Sequence, residues 1–244
     1  QQTFEEAKQK KVLLYDIMTE RSEITNILQA ELSRINDIFG TQQQGTDKDP
    51  GVVMESVHMF YKYVSGKALT RPAWFFDAAQ QGDAIVDVGT HLVDLVQWVC
   101  FPDAAIDYTR DIHIRSSKIW PTPLTLSGFT RITGEDHFPD FLKKYVKDDS
   151  VLMTHGNGEI NYTIKGISAR ITTKWTEDAP AGAGDTYYSL LRGTKASLEI
   201  KQGKEESWQT VLYVWPAKTI KDLKAFSSNL EQAIREIDGE FPGV

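Results

Sequence analysis

Apolar positions along the chain follow two rhythms, and the change from one to the other predicts the elements. Ile24, Ile27, Leu28, Leu32 and Ile35 recur at three- and four-residue steps. That spacing predicts an amphipathic helix over about 20–38 with Thr19 as its N-cap. Ahead of it, KVLLYDIM (11–18) is an apolar run of strand length. TQQQGTDKDP (41–50) predicts a polar loop, and VVMESVHMFYKYV (52–64) alternates roughly as a strand. GDAIVDVGTHLVDLVQW (82–98) predicts one helix, stopped by Phe101-Pro102. From about 105 to 216 the period shortens to two, through AIDYTRDIHI, ARITTKW, TYYSLLRG, KASLEIKQG and QTVLYVW. GNGEINYTIKG (156–166) carries an Asn-Gly turn signal ahead of its alternation, which predicts a hairpin. The last helix runs through Leu223, Phe226, Leu230, Ile234 and Ile237, with Gly239 as its C-cap. The sum is an α+β fold: an open, largely antiparallel β-sheet with helices on one face.

The 82–98 helix departs from an ordinary surface helix. At roughly 100° per residue, Asp83, Asp87, His91, Asp94 and Trp98 fall within an arc of about 80°. Ile85, Val88, Leu92, Leu95, Val96 and Val99 fill the opposite side, and residues 82–99 contain no Lys, Glu or Arg. A solvated face normally uses those long charged residues. The pattern is that of a mostly buried helix with a narrow titratable strip, and a buried strip of that kind asks for a reason. Asp87 and His91 are four residues apart and Asp94 is three beyond His91, so their side chains can meet. A carboxylate that orients an imidazole suits a general base. The same residues are also compatible with metal ligation, for which no further ligand is evident, or with a core histidine bonded to an aspartate. Gly89, opposite the strip, would admit a close neighbour.

Composition narrows the function classes. The 244 residues carry a formal net charge of −7, which argues against a nucleic acid or an anionic membrane surface as the main partner. Cys100 is the single cysteine, so neither an intrachain disulfide nor a cysteine-based zinc site can form. No apolar run is long enough to span a bilayer. PAGAGDT (180–186) has glycines at the spacing of a nucleotide loop, but Tyr187 stands where the pattern needs glycine and a strand-like stretch follows. A turn between strands is the expectation there. The six tryptophans and nine tyrosines, many of them in the strand region, fit either core filling or a sugar-stacking surface. A sheet face left free of helices would favour self-association.

GDAIVDVGTHLVDLVQW resembles the D-x-x-x-H helix of the Gfo/Idh/MocA oxidoreductases. RPAWFFD (71–77), CFPDAAIDYTRDI (100–112), NGEINYTIKGI (157–167) and GAGDTYYSLLRGTKASLEI (182–200) resemble the C-terminal domain of one branch of that family. The resemblance implies an NAD- or NADP-dependent oxidoreductase of sugar-like or polyol hydroxyls, built from an N-terminal Rossmann domain and a C-terminal domain of the glucose-fructose oxidoreductase type. It implies His91 as acid/base, Asp87 as a catalytic and substrate-holding carboxylate, and Asp94 as a lesser substrate ligand or orienter of His91. On this reading residues 1–40 are the exit from the Rossmann domain, and 41–244 form the substrate and oligomerisation domain. The Gly-rich fingerprint and the family's Glu-Lys-Pro lysine have no counterpart in the chain. The expectation is therefore a separated piece that binds no NAD or NADP itself, is inactive alone and assembles through its open sheet. Two alternatives accompany it: a fragment of an NAD-assisted glycoside hydrolase, and a non-catalytic carbohydrate-binding or assembly module.

Overall fold

The structure is a computed structural model, and it describes residues 2–15, 17–178 and 183–242. After helix α1 (Gln2–Lys10), residues 12–15 adopt no regular structure. The expected strand is not seen at residues 12–15, 17 and 18: Val12, Leu13 and Tyr15 are exposed, and among the described residues no strand pairs with them. The next helix also begins later than expected. A single 3₁₀ turn spans Thr19–Ser22, and α2 (Ile24–Arg34) starts only after Glu23. Glu23, not Thr19, is the cap, because its carboxylate accepts from Asn26 N.

Strand β1 (Val52–Tyr61) follows the predicted polar loop, and the small hairpin β2 (Tyr63–Val64) and β3 (Lys67–Ala68) extends it. Four helical pieces come next: α3 (Ala78–Gln81), α4 (Ala84–Asp87), α5 (Gly89–Cys100) and α6 (Tyr108–Asp111). α6 replaces the first half of the expected strand over 105–114, because Asp107 caps it through Thr109 N. The strand β4 starts at Ile112 and runs to Thr125, and α7 (Leu126–Thr133) follows. β5 (Val146–Lys147), β6 (Val151–Ile164), β7 (Ile167–Asp178), β8 (Thr186–Arg192), β9 (Ala196–Gln202) and β10 (Val211–Pro216) precede α8 (Leu223–Glu240). Gly239 lies inside α8, which runs on to Phe241 as its C-cap.

Eight of the strands form one open sheet in the order β10-β9-β8-β1-β7-β6-β4, with β5 also on β6, and β2 and β3 pair separately. Only β1 and β7 run parallel; the other neighbours are antiparallel. Register puts Val52, Met54, Ser56, His58 and Phe60 on the same face as Ala169, Ile171, Thr173 and Trp175. α2, α5 and α8 cover that face at one end over Val52, Met54, Ile171 and Leu198. A second apolar cluster of Phe60, Leu124, Phe129, Leu152 and Trp175 fills the other end. The opposite face is largely made of paired polar rungs, such as Lys174–Glu55 at 2.6 Å and Lys118–Glu159 at 3.2 Å.

The Asn157-Gly158 signal does not make a turn. Both residues lie within β6, and the chain reverses instead at Lys165 and Gly166, where φ is positive. Gly158 serves packing: a Cβ there would lie 2.4 Å from Ile85 Cγ1, so glycine lets α4 sit down on the sheet. Gly89 has no such role, since its Cβ would meet nothing closer than 3.5 Å.

Candidate functional site

The seam between the two apolar clusters is polar, and α4 and α5 run along it. The segment before them is stepped. Asp77 ends the 3₁₀ turn Ala73–Phe76 and caps α3 through Ala79 N at 3.1 Å. Gly82 then reverses the chain at φ +88°, a conformation that strains any residue with a Cβ. Asp83 accepts from Ile85 N and Val86 N and starts α4. The single helix expected over 82–98 is two helices, Ala84–Asp87 and Gly89–Cys100, interrupted at Val88. α5 ends as expected at Phe101.

Each titratable residue of the strip has its own partner. Asp83 is a cap. Gln81 Nε2 donates to Asp87 Oδ1 at 3.0 Å, and Asp87 borders a narrow cleft with Phe60, Phe75, Phe76 and Trp175 that leaves about 30 Å³ of space. Burial pushes the Asp87 carboxyl above its ordinary range, opposed by the charges of His58 and Arg71, the Gln81 hydrogen bond and the charge of His91. His91 Nδ1 lies 2.6 Å from Glu20 Oε2, a close contact without the alignment of a directed hydrogen bond. Asp94 is held by Arg21 in a two-pronged pair, with Nε 2.7 Å from Oδ2 and Nη2 on Oδ1. The 3₁₀ turn before α2 thus supplies the partners that the strip residues were expected to find in one another. Asp87 and His91 are brought to one helix–helix junction, whereas Asp94 is tied to the neighbouring turn.

The sheet adds residues that the sequence reading passed over. His58 is hydrogen-bonded on both ring nitrogens, to Ser56 Oγ at 2.6 Å through Nε2 and to Asp185 Oδ2 at 3.0 Å through Nδ1. Asp185 also takes a hydrogen bond from Met59 N at 3.1 Å and an ion pair from Lys62. Burial raises the Asp185 carboxyl, but the hydrogen bonds from His58 and Lys62 and their charges outweigh it and hold the group at about 2. Asp185 belongs to PAGAGDT and anchors the site; residues 183–185 lead into β8, and the rest of the expected turn, at 180–182, lies outside the described residues. Arg71, from RPAWFFD, stacks over Phe75 at 4.5 Å and Trp175 at 4.8 Å and donates to the carbonyls of Phe60 and Met59. A signal for His58 was available: on a strand with Val52, Met54 and Phe60 facing the core, Ser56 and His58 share that face by period two.

The arrangement sets an imidazole against a carboxylate (His91–Glu20) beside a half-buried carboxylate (Asp87), with a second imidazole and a guanidinium within electrostatic reach of the latter. Such a set can move a proton and orient hydroxyl groups. It does not fit a nicotinamide dinucleotide. The one glycine-rich stretch runs into β8 rather than the start of a helix, so it has no helix N-terminus for a pyrophosphate. Among the described residues no group of three His, Cys, Asp or Glu side chains is placed to hold a metal ion, and no helix is long and apolar enough to cross a membrane.

Comparison with known proteins places this geometry. A crystal structure titled "putative oxidoreductase" from Parabacteroides merdae is 48% identical to this chain, with a TM-score of 0.90 over 99% of it. The chain spans about half of that relative, 54% of its length. A second oxidoreductase structure, from Erwinia carotovora atroseptica, is 13% identical over 94% of this chain and 59% of its own, with a TM-score of 0.50, and shares the fold. The WlbA dehydrogenase of Bordetella pertussis, solved with NADH and UDP-GlcNAcA, aligns over 96% of this chain and 51% of its own at 12% identity and a TM-score of 0.41. No curated protein matches the chain. The family described as "putative oxidoreductase C terminal domain" matches residues 28–244, and the chain belongs to that family.

Proposed function

We propose that this chain is the substrate side of a site that oxidises a sugar-like or polyol hydroxyl, with NAD or NADP held by an N-terminal Rossmann domain docked against it. The observation that carries this reading is the pairing of His91 with a carboxylate at its Nδ1, one helical break away from the half-buried Asp87. With Nδ1 on the Glu20 side, Nε2 is the atom left to take the hydroxyl proton. Asp87 accepts hydrogen bonds from substrate hydroxyls, and Arg71 and His58 offset the cost of its charge. Asp94, fixed by Arg21, orders the turn that carries Glu20. The nicotinamide supplies hydride transfer from outside this chain.

Surface chemistry supports the docking. Val12, Leu13, Tyr15 and Ile17 are exposed in sequence, and Val86 is exposed on α4. Met18, Val86, Val93 and Asp94 line an open groove of about 420 Å³ between these two regions. An apolar run beside an apolar groove suits a covering domain. Self-association belongs to the same reading and is assigned to the β10 end of the uncovered sheet face, where Tyr213 and Trp215 stack at 5.9 Å and Trp215 is half exposed.

The test is His91→Ala in a protein that carries both domains. The expected outcome is a loss of about 10²–10⁴-fold in kcat with little change in KM. Undiminished turnover would overturn the assignment. The 244-residue chain alone is expected to show no dehydrogenase turnover with NAD or NADP, because it offers half of an interdomain site.

A further inference from the structure

A second cavity lies at the β4–β6 end of the sheet, next to the Asp87 cleft, with which it shares His155. It has about 400 Å³ of space, within the range of small-molecule sites, and is formed between the edge strand β4 and the short strand β5 on either side of β6. β4 carries a bulge between Trp120 and Thr122, the kind of irregularity that re-aims a side chain. Asn157 locks the bulge: its Nδ2 donates to Trp120 O at 3.1 Å and to Thr122 Oγ1 at 2.8 Å, while its Oδ1 accepts from Trp175 N at 3.0 Å. On the facing wall, the Tyr145 hydroxyl donates to the buried Asp77 at 3.2 Å, and Lys144 Nζ lies 3.3 Å from the same carboxylate. Met153 and His155 form the floor, and the His155 ring stands edge-on to Tyr145 at 5.0 Å. The aromatic walls are held by backbone pairing and a buried carboxylate, so little ordering remains for a ligand to impose.

Charge selects the ligand. In a chain with 34 acidic against 27 basic residues, the lining holds Lys144 and Lys147 and no carboxylate. Asp77 balances Lys144, and Lys147 has no ion-pair partner among the described residues. Pro121 and Pro123 on β4 donate no backbone hydrogen bond and discourage strand addition by another chain at this edge. We infer that this cleft binds a flat aromatic carboxylate, its ring against Trp120 and Tyr145 and its charge at Lys147.

The probe is 2-naphthoate, titrated into the protein by calorimetry and by tryptophan fluorescence, with the neutral 2-naphthalenemethanol as its comparison. One naphthoate is expected per chain, with the alcohol about fivefold weaker, the fold-change of one exposed charge pair. Lys147→Gln, at an exposed position, is expected to erase that difference without touching the fold. Trp120→Ala is expected to weaken naphthoate about tenfold through lost ring contact. Equal affinity for the two probes, or naphthoate binding unchanged by Lys147→Gln, overturns the inference. So does a chain that self-associates over the cleft, seen as a doubled mass with no naphthoate bound.

Discussion

Asp87 on α4 and Asp185 at the start of β8 both lie within the field of His58, yet the fold treats their carboxylates in opposite ways. Asp185 is tied to a lysine, an imidazole and a backbone amide, and its acidity is strengthened to about 2. Asp87 has a single neutral donor, Gln81, and burial keeps its acidity weak despite the nearby cations. A carboxylate with its hydrogen bonds already filled holds structure together. A carboxylate buried with lone pairs left over is available to a ligand, and it costs stability to keep charged. The difference separates the part of the seam that builds the site from the part that acts in it.

The largest expected effect breaks the platform on which Asp87 rests. Gly158→Val would drive a side chain into Ile85 and lift α4 from β6. A loss of about 2–4 kcal/mol is expected in urea unfolding, together with loss of any ligand binding at Asp87. Wild-type stability in that variant would show that α4 does not need the sheet contact.

Asp185→Asn tests the structural carboxylate. The group is depressed from its ordinary value, so its contribution is complete above about pH 4 and disappears as the pH falls toward 2. Roughly 2 kcal/mol is expected to vanish at neutral pH in the variant. Below pH 4 the wild type should converge on it in unfolding titrations, and parallel pH profiles would refute the assignment.

Asp87→Asn should do the reverse, with the smallest shift. Its acidity is weakened, so the fold is favoured while the group is protonated, and that benefit is lost as the pH rises through the raised value. Replacing it with a neutral isostere is expected to stabilise the fold slightly at neutral pH while abolishing substrate oxidation in a two-domain protein. A destabilised variant would make Asp87 a structural residue after all.

The strip along 82–98 was legible because short carboxylates and an imidazole replaced the long charged residues a wet helix face would use. Their partners were not legible. Glu20 and Arg21 stand some seventy residues away along the chain, and spacing within one helix carries no information about a turn from elsewhere. The same holds for glycine. Gly89 looked like the residue of close approach because it sat on the interesting helix, whereas the close approach occurs at Gly158, on the strand beneath. Asn157-Gly158 carried the local chemistry of a hairpin turn, and strand pairing on both sides overrode it.

By itself the sequence determined the fold class, an open and largely antiparallel sheet with helices on one face, because side-chain period is a local property fixed by backbone geometry. It also carried the family resemblance and placed Asp87 and His91 near each other. Tertiary structure alone decided which carboxylate faces which cation, where the helix breaks, and that His58 and Asp185 join the seam. Those outcomes depend on charges and burial contributed by segments distant in sequence, and electrostatic energy follows distance in space.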